Sequence, residues 1–130
     1  MAALLPPGWP RPRGYANGVS ARGRMVFVAG MIGWDADGRF AEGGIAAQAR
    51  QALANVVAVL AAGDARPEHI VRMTWYVTDR KAYIAAAREI GAAYREIIGS
   101  YDVAMTAVEV SALVEDRALV EIEATAVVPA

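Results

Sequence analysis

Residues 105–128 read MTAVEVSALVEDRALVEIEATAVV, two stretches of alternating character joined by a charged turn, and they decide the fold. Side chains alternate across a strand, so Thr106, Val108, Val110 and Ala112 share one side of the first stretch, opposite Met105, Ala107, Glu109 and Ser111. In the second stretch Val120, Ile122, Ala124 and Ala126 form an apolar row opposite Leu119, Glu121, Glu123 and Thr125. One sheet face is therefore expected to bury against helices while the other carries Glu109, Glu121 and Glu123, carboxylates that burial tolerates only with partners or water. A wet sheet face of this kind marks a site or an interface.

Upstream, the periods change in alternation. Residues 18–22 and 24–29 read as strands, with Arg22-Gly23 as a hairpin turn between them. Ile45 to Ala62 has helical period, with Ala49, Ala52, Leu53, Val56, Val59 and Leu60 on one face, Gln48, Gln51 and Asn55 opposite, and Gly63 as the stop. Ile70 to Val77 reads as a strand with Val71, Met73, Trp75 and Val77 on one side. Arg80 to Ile98 reads as a second helix, capped by Asp79, ended by Gly99, and burying Tyr83, Ile84, Ala87, Ile90, Tyr94 and Ile97. Alternating strands and helices require crossovers and some parallel pairing, which predicts an α+β fold: a mixed sheet of five or six strands with two helices on one face. Two helices leave the second face wet or covered by another subunit.

With 130 residues the chain suits one domain spanning 1–130, in which the proline- and arginine-rich residues 1–13 form an irregular arm. Thirteen basic against 14 acidic residues leave a net charge of −1, so no bulk field favours nucleic acid or an anionic membrane. The early cluster Arg11, Arg13, Arg22 and Arg24 reads as a solvated segment, with Arg13, beside Tyr15, as the candidate for an anion contact. Absence of cysteine excludes disulfides and thiolate chemistry, and a single histidine, His69, excludes a multi-histidine metal site. His69 itself reads as structural or exposed. Asp35-Ala36-Asp37-Gly38 has turn chemistry and lacks the further ligands of a calcium loop. The segment MAALLPPGWPRPR has too short an apolar run for a signal peptide, and no window approaches a membrane-spanning length, so a cytoplasmic protein with no membrane partner is expected.

The run T-A-V-E-V at 106–110 followed by V-E-I-E-A at 120–124 resembles the C-terminal signature of the YjgF/RidA/L-PSP family. GYANGV at 14–19, VFVAGMIGWD at 26–35, AQARQALANV at 47–56 and IVRMTWYVTD at 70–79 follow the family's order. The resemblance implies a chorismate-mutase-like fold of the bacillary type. It further implies a homotrimer with a barrel-like core, pockets between subunits, and no metal or cofactor. Family members with imine deaminase activity carry an arginine that grips the substrate carboxylate where this chain has Met105, and a thioether offers no bidentate fork. Met31 stands where many members have glutamine, and Asn17 where glutamine or histidine is common. The resemblance places the water-handling carboxylate on Glu121, keeps the family tyrosine as Tyr15 and assigns the polarising backbone amide to the neighbourhood of Ala107.

The implied function is hydrolysis of an enamine or imine other than 2-aminoacrylate, in a more apolar pocket to which Met31, Met105 and Trp34 or Tyr15 contribute. The alternative is a ligand-binding or regulatory trimer without catalysis. Ribonuclease activity, attached to some relatives, is the least favoured, because the charge is near neutral and no basic, aromatic stripe is present.

Overall fold

The computed structural model describes residues 1–130. In chain order it contains β1 (Ala2–Leu4), β2 (Gly18–Ser20), β3 (Arg24–Ile32), α1 (Gly44–Ala62), β4 (Ile70–Val77), α2 (Arg80–Ala85), α3 (Ala87–Ile97), β5 (Ala104–Glu109) and β6 (Val120–Val128). The α+β architecture is as expected, but the main sheet has four strands, in the order β3-β6-β4-β5, instead of five or six, because β1 and β2 form a separate pair. β3 and β4 flank β6 antiparallel, while β4 and β5 run parallel through the α2–α3 crossover. The two C-terminal strands are thus not a hairpin, because β4 lies between them.

The core lies between α1 and the sheet. Leu53, Val56 and Leu60 from α1 meet Ile70, Met73, Trp75 and Val77 from β4 and the row Val120, Ile122, Ala124 and Ala126 from β6. Each fully buried aliphatic side chain contributes roughly 1.5–3 kcal/mol by leaving water, so the period-two row of β6 and the helical stripe of α1 specify one another. α1 is 19 residues long with mean hydropathy 1.3, which by length and composition is enough to cross a bilayer. The expectation that no window reaches that length fails for this helix. Its apolar stripe is spent on the sheet, and its Arg50 pairs with Glu96 at 2.6 Å.

Several local expectations change. Residues 1–13 are not wholly irregular: β1 pairs antiparallel with β2, Ala2 opposite Ser20 and Leu4 opposite Gly18. The β2–β3 hairpin does not form, since β2 is taken by β1 and β3 by β6. Gly23 has φ 151° and lies so close to the Val128 carbonyl that a Cβ would collide with it, so the Arg22-Gly23 turn delivers β3 to the end of β6 instead. A register shift between Ile70 and Arg72 puts Ile70, rather than Val71, into the core. The second helix breaks at Ala86 (φ −94°, ψ 8°), and Ile84 is 65% exposed instead of buried. Val59 is also partly exposed, whereas Gln48 is buried. Buried Gln48 is tolerated because its Nε2 donates to Arg117 O at 3.0 Å and its Oε1 accepts from Leu119 N at 2.8 Å.

Asp79 caps α2 as expected, accepting from the amides of Lys81 and Ala82. His69 closes a 3-10 turn over Pro67–His69, its Nδ1 accepting from Arg66 N at 2.9 Å, which is a structural role. Asp35 Oδ1 accepts from the amides of Asp37 and Arg39, closing the expected turn.

Candidate functional site

β5 is an edge strand, and its backbone shows which way its polar groups point. Val110 N donates to Val77 O at 2.8 Å, toward β4, while Val103 O accepts from Ala16 N at 2.8 Å on the other side. Backbone groups alternate along a parallel strand, so the odd-numbered residues, including Ala107, direct theirs away from the sheet. The contact with Ala16 docks residues 11–16 alongside the start of β5, with Gly14 at φ 79° making the bend that seats Tyr15 beside Met105.

Between this segment and the α2–α3 crossover lies a pocket of about 460 Å³. Its floor is Met105 and Trp75, its helical wall Tyr83, Ile90, Gly91 and Tyr94, and its mouth Arg11, Arg95 and the loop carrying Tyr101 and Asp102. The Trp75 ring lies 6.1 Å from Tyr83 and 6.5 Å from Tyr94, both tilted, as aromatic quadrupoles prefer. Burial pushes the Tyr94 hydroxyl up to about 12, and that of Tyr83 upward as well, so both remain protonated donors at neutral pH. Tyr94 Oη and Trp75 Nε1 are buried without a hydrogen-bond partner in the chain. Such groups cost about 1–3 kcal/mol each when left unpaired.

The expected site residues divide between two faces and two edges. Tyr15 and Met105 meet in the pocket, and Ala107, one pleat further along β5, lies on the same edge. Glu121 lies on the open face: Ile122 and Val120 turn into the core and it turns away, opposite Tyr76 and Ile32. A Cβ at Gly30 would collide with the Glu121 carboxylate, so glycine there gives this group its place. Met31 pairs with Ile122 and packs against the core instead of lining the pocket, and Trp34 stacks near Phe40 with ring centroids 5.5 Å apart. Both belong to the β3 edge, across the sheet from β5.

Glu109 is a correction too. β4 and β5 are in parallel register, Trp75 opposite Ala107 and Val77 opposite Glu109, so Glu109 shares the helix face. Its Oε1 accepts from Arg80 N at 2.8 Å, adding a second carboxylate cap to α2. Glu123 does stay on the open face and accepts from Tyr76 Oη at 2.6 Å. That hydrogen bond, with desolvation second, raises the Tyr76 phenol above its ordinary value. Around Glu123 the open face forms a cleft of about 450 Å³ with Arg72, Thr74, Thr125 and Phe27, the last 69% exposed.

The sequence reading missed Trp75 and Tyr94 as pocket residues, since both look like ordinary apolar positions of a strand and a helix. It chose Arg13 where the pocket takes Arg11. A usable signal was present in α3: Gly91 inside an otherwise good helix, with Arg95 one turn later on the same face.

A one-sided α+β sheet with a ligand-sized pocket at its parallel edge defines a class of small-molecule-binding proteins. Residues 10–128 match the family model described as endoribonuclease L-PSP, and the chain belongs to that family, the YjgF/RidA/L-PSP group. It is 37% identical over 119 residues to the RutC family protein PH0854 of Pyrococcus horikoshii, covering 90% of each chain. The Rid-family protein YyfB of Yersinia pestis has the same fold, with a TM-score of 0.83 and 34% identity over 98% of each chain. TdcF of E. coli, solved with bound serine, gives a TM-score of 0.71 at 28% identity over 98% of this chain and 99% of its own.

Proposed function

We propose that the protein is a homotrimeric cytoplasmic hydrolase that converts an enamine or imine other than 2-aminoacrylate to its carbonyl product and ammonia, in a pocket completed between subunits. The carrying observation is the division of the site: Tyr15 and Met105 line the β5-edge pocket, while Glu121 stands on the open face. A second copy that covers the open face can bring its own Glu121 toward the first copy's pocket, which a single chain cannot do. Exposed Phe27 and Met25 on β3 give that face apolar surface to bury.

In this reading the outward Ala107 amide polarises the imine and Glu121 takes a proton from the attacking water. Water adds to the imine carbon. The carboxylic acid returns that proton to nitrogen, giving the carbinolamine; Glu121 then takes the hydroxyl proton and delivers it to nitrogen as the C–N bond breaks, so that ammonia leaves a ketone behind. The serine bound by TdcF supports an amino-acid-derived ligand. No metal or cofactor is required. The family's ribonuclease name is a weaker guide, because the net charge is −1 and His69 Nδ1 is engaged by the Arg66 amide.

Light scattering after gel filtration is expected to give about three times 13.8 kDa. A monomer stable at micromolar concentration would rule out a pocket shared between subunits. For the chemistry, imines are generated in situ by an amino-acid oxidase from a panel of bulky amino acids, and ammonia release is followed with wild type and Glu121→Gln. Acceleration of at least one substrate, lost by roughly 100-fold or more in Glu121→Gln, is expected for a general base. Binding without any acceleration across the panel would instead favour a ligand-binding or regulatory trimer.

A further inference from the structure

The pocket lacks a cation where Met105 sits, yet its mouth is positively charged. Arg11 and Arg95 stand against a single acid, Asp102, which leaves the lining with one positive charge in excess. Neither arginine belongs to an ion pair, since the salt bridges of the chain are Arg50–Glu96 and Arg66–Glu68. Arg95 is placed by a specific device. Its Nη1 lies 3.3 Å from where a Cβ on Gly91 would stand, so the guanidinium folds back over the preceding turn into the space the glycine leaves. Glycine inside a helix costs about 0.5–1 kcal/mol relative to alanine, and here it opens room at the mouth of a pocket. Behind the mouth the walls are aromatic, formed by Trp75, Tyr83 and Tyr94.

We propose that Arg11 and Arg95 provide the anion contact that Met105 cannot, and that the ligand is a carboxylate with a planar aromatic body seated among Trp75, Tyr83 and Tyr94. This rests on the reading that the β5-edge pocket is the ligand site. A volume near 460 Å³ is far more than a three-carbon acid fills. It falls within the roughly 300–1,000 Å³ that suits larger ligands, so an anion at the mouth and a ring in the interior are held together only by a bulky molecule.

The test uses the assembled wild-type protein and three probes: phenylpyruvate, its neutral analogue 1-phenylbutan-2-one, and 2-oxobutyrate. Affinity is read by titration of the methionine methyl NMR signals, with Met105 assigned through Met105→Leu. Phenylpyruvate is expected to bind about three- to tenfold more tightly than the neutral ketone, a modest gain because both arginines are exposed. It should also bind more tightly than 2-oxobutyrate. Arg11→Gln combined with Arg95→Gln should bring acid and ketone to within about twofold while leaving ketone binding unchanged. Gly91→Ala should raise the melting temperature yet weaken the acid alone, which a merely structural role for Arg95 does not produce.

Equal binding of acid and ketone by wild type overturns the anion contact while leaving the pocket in place. A preference that survives the double substitution overturns the assignment to these two arginines, as does an equal loss of acid and ketone. Tighter binding of 2-oxobutyrate than of phenylpyruvate overturns the aromatic class. If no probe moves the Met105 signal, the reading of this pocket as the ligand site fails, and the inference with it.

Discussion

Wild-type protein is expected to hydrolyse 2-aminoacrylate roughly 30- to several-thousand-fold more slowly than an arginine-bearing relative, the equivalent of losing about 2–5 kcal/mol of charge-assisted contact in the transition state. Met105 lies on the pocket floor beside Tyr15 and Trp75, where a thioether presents no donor to a carboxylate. Arg11 and Arg95 stand at the mouth, and a three-carbon substrate held by them gives up the apolar interior. Met105→Arg should gain affinity for 2-oxobutyrate, and Glu121→Gln on that background should keep the binding and lose any hydrolysis gained, because anchoring and water handling are separable. Turnover of 2-aminoacrylate by wild type at a relative's rate would show that the pocket holds a small carboxylate without an arginine at position 105.

Gly33→Ala is expected to cost about 2–4 kcal/mol of stability, combining overpacking with disturbed hydrogen bonds. A Cβ at Gly33 would stand 2.6 Å from Gln48 Cα and 2.8 Å from Gln48 Cγ, so the backbone of α1 itself must move. Gln48 is the residue that holds Arg117 O and Leu119 N, one step before β6 and two before Glu121. The substitution therefore strains the attachment of α1 to β3 and the loop that delivers the proposed catalytic carboxylate. Urea denaturation at matched protein concentration measures it, the matching being needed because assembly contributes to apparent stability. A free energy within about 0.5 kcal/mol of wild type would mean that α1 shifts without cost.

How far the site could be read in advance depended on whether a residue's role follows from period or from partner. Glu121 shows the first case: apolar Val120 and Ile122 on either side force it to the open face, and alternation alone says so. Glu109 shows the second. Its place on the helix face depends on the register of β5 against β4, and no local pattern distinguishes a carboxylate that caps α2 from one on an open face. Met31 is similar, because the register shift between Val28 and Met31 in β3 turns it into the core.

By itself the sequence determined the types of the main-sheet strands and of α1, the α1 stripe, the apolar row of β6, the Asp79 cap and membership of the family, all of which rest on spacing of a few residues or on motifs in order. Only the tertiary structure decided that β4 separates β5 from β6, that β1 takes β2, and that Gln48 is buried. The pocket, too, came only from the fold: Arg11, Trp75, Tyr94 and Met105 are up to 94 residues apart and meet because the parallel β4–β5 pairing carries α2 and α3 across the edge where residues 11–16 dock. Periodicity reports which side of an element a residue takes, whereas strand order and register, set by many distant contacts at once, report what that side faces.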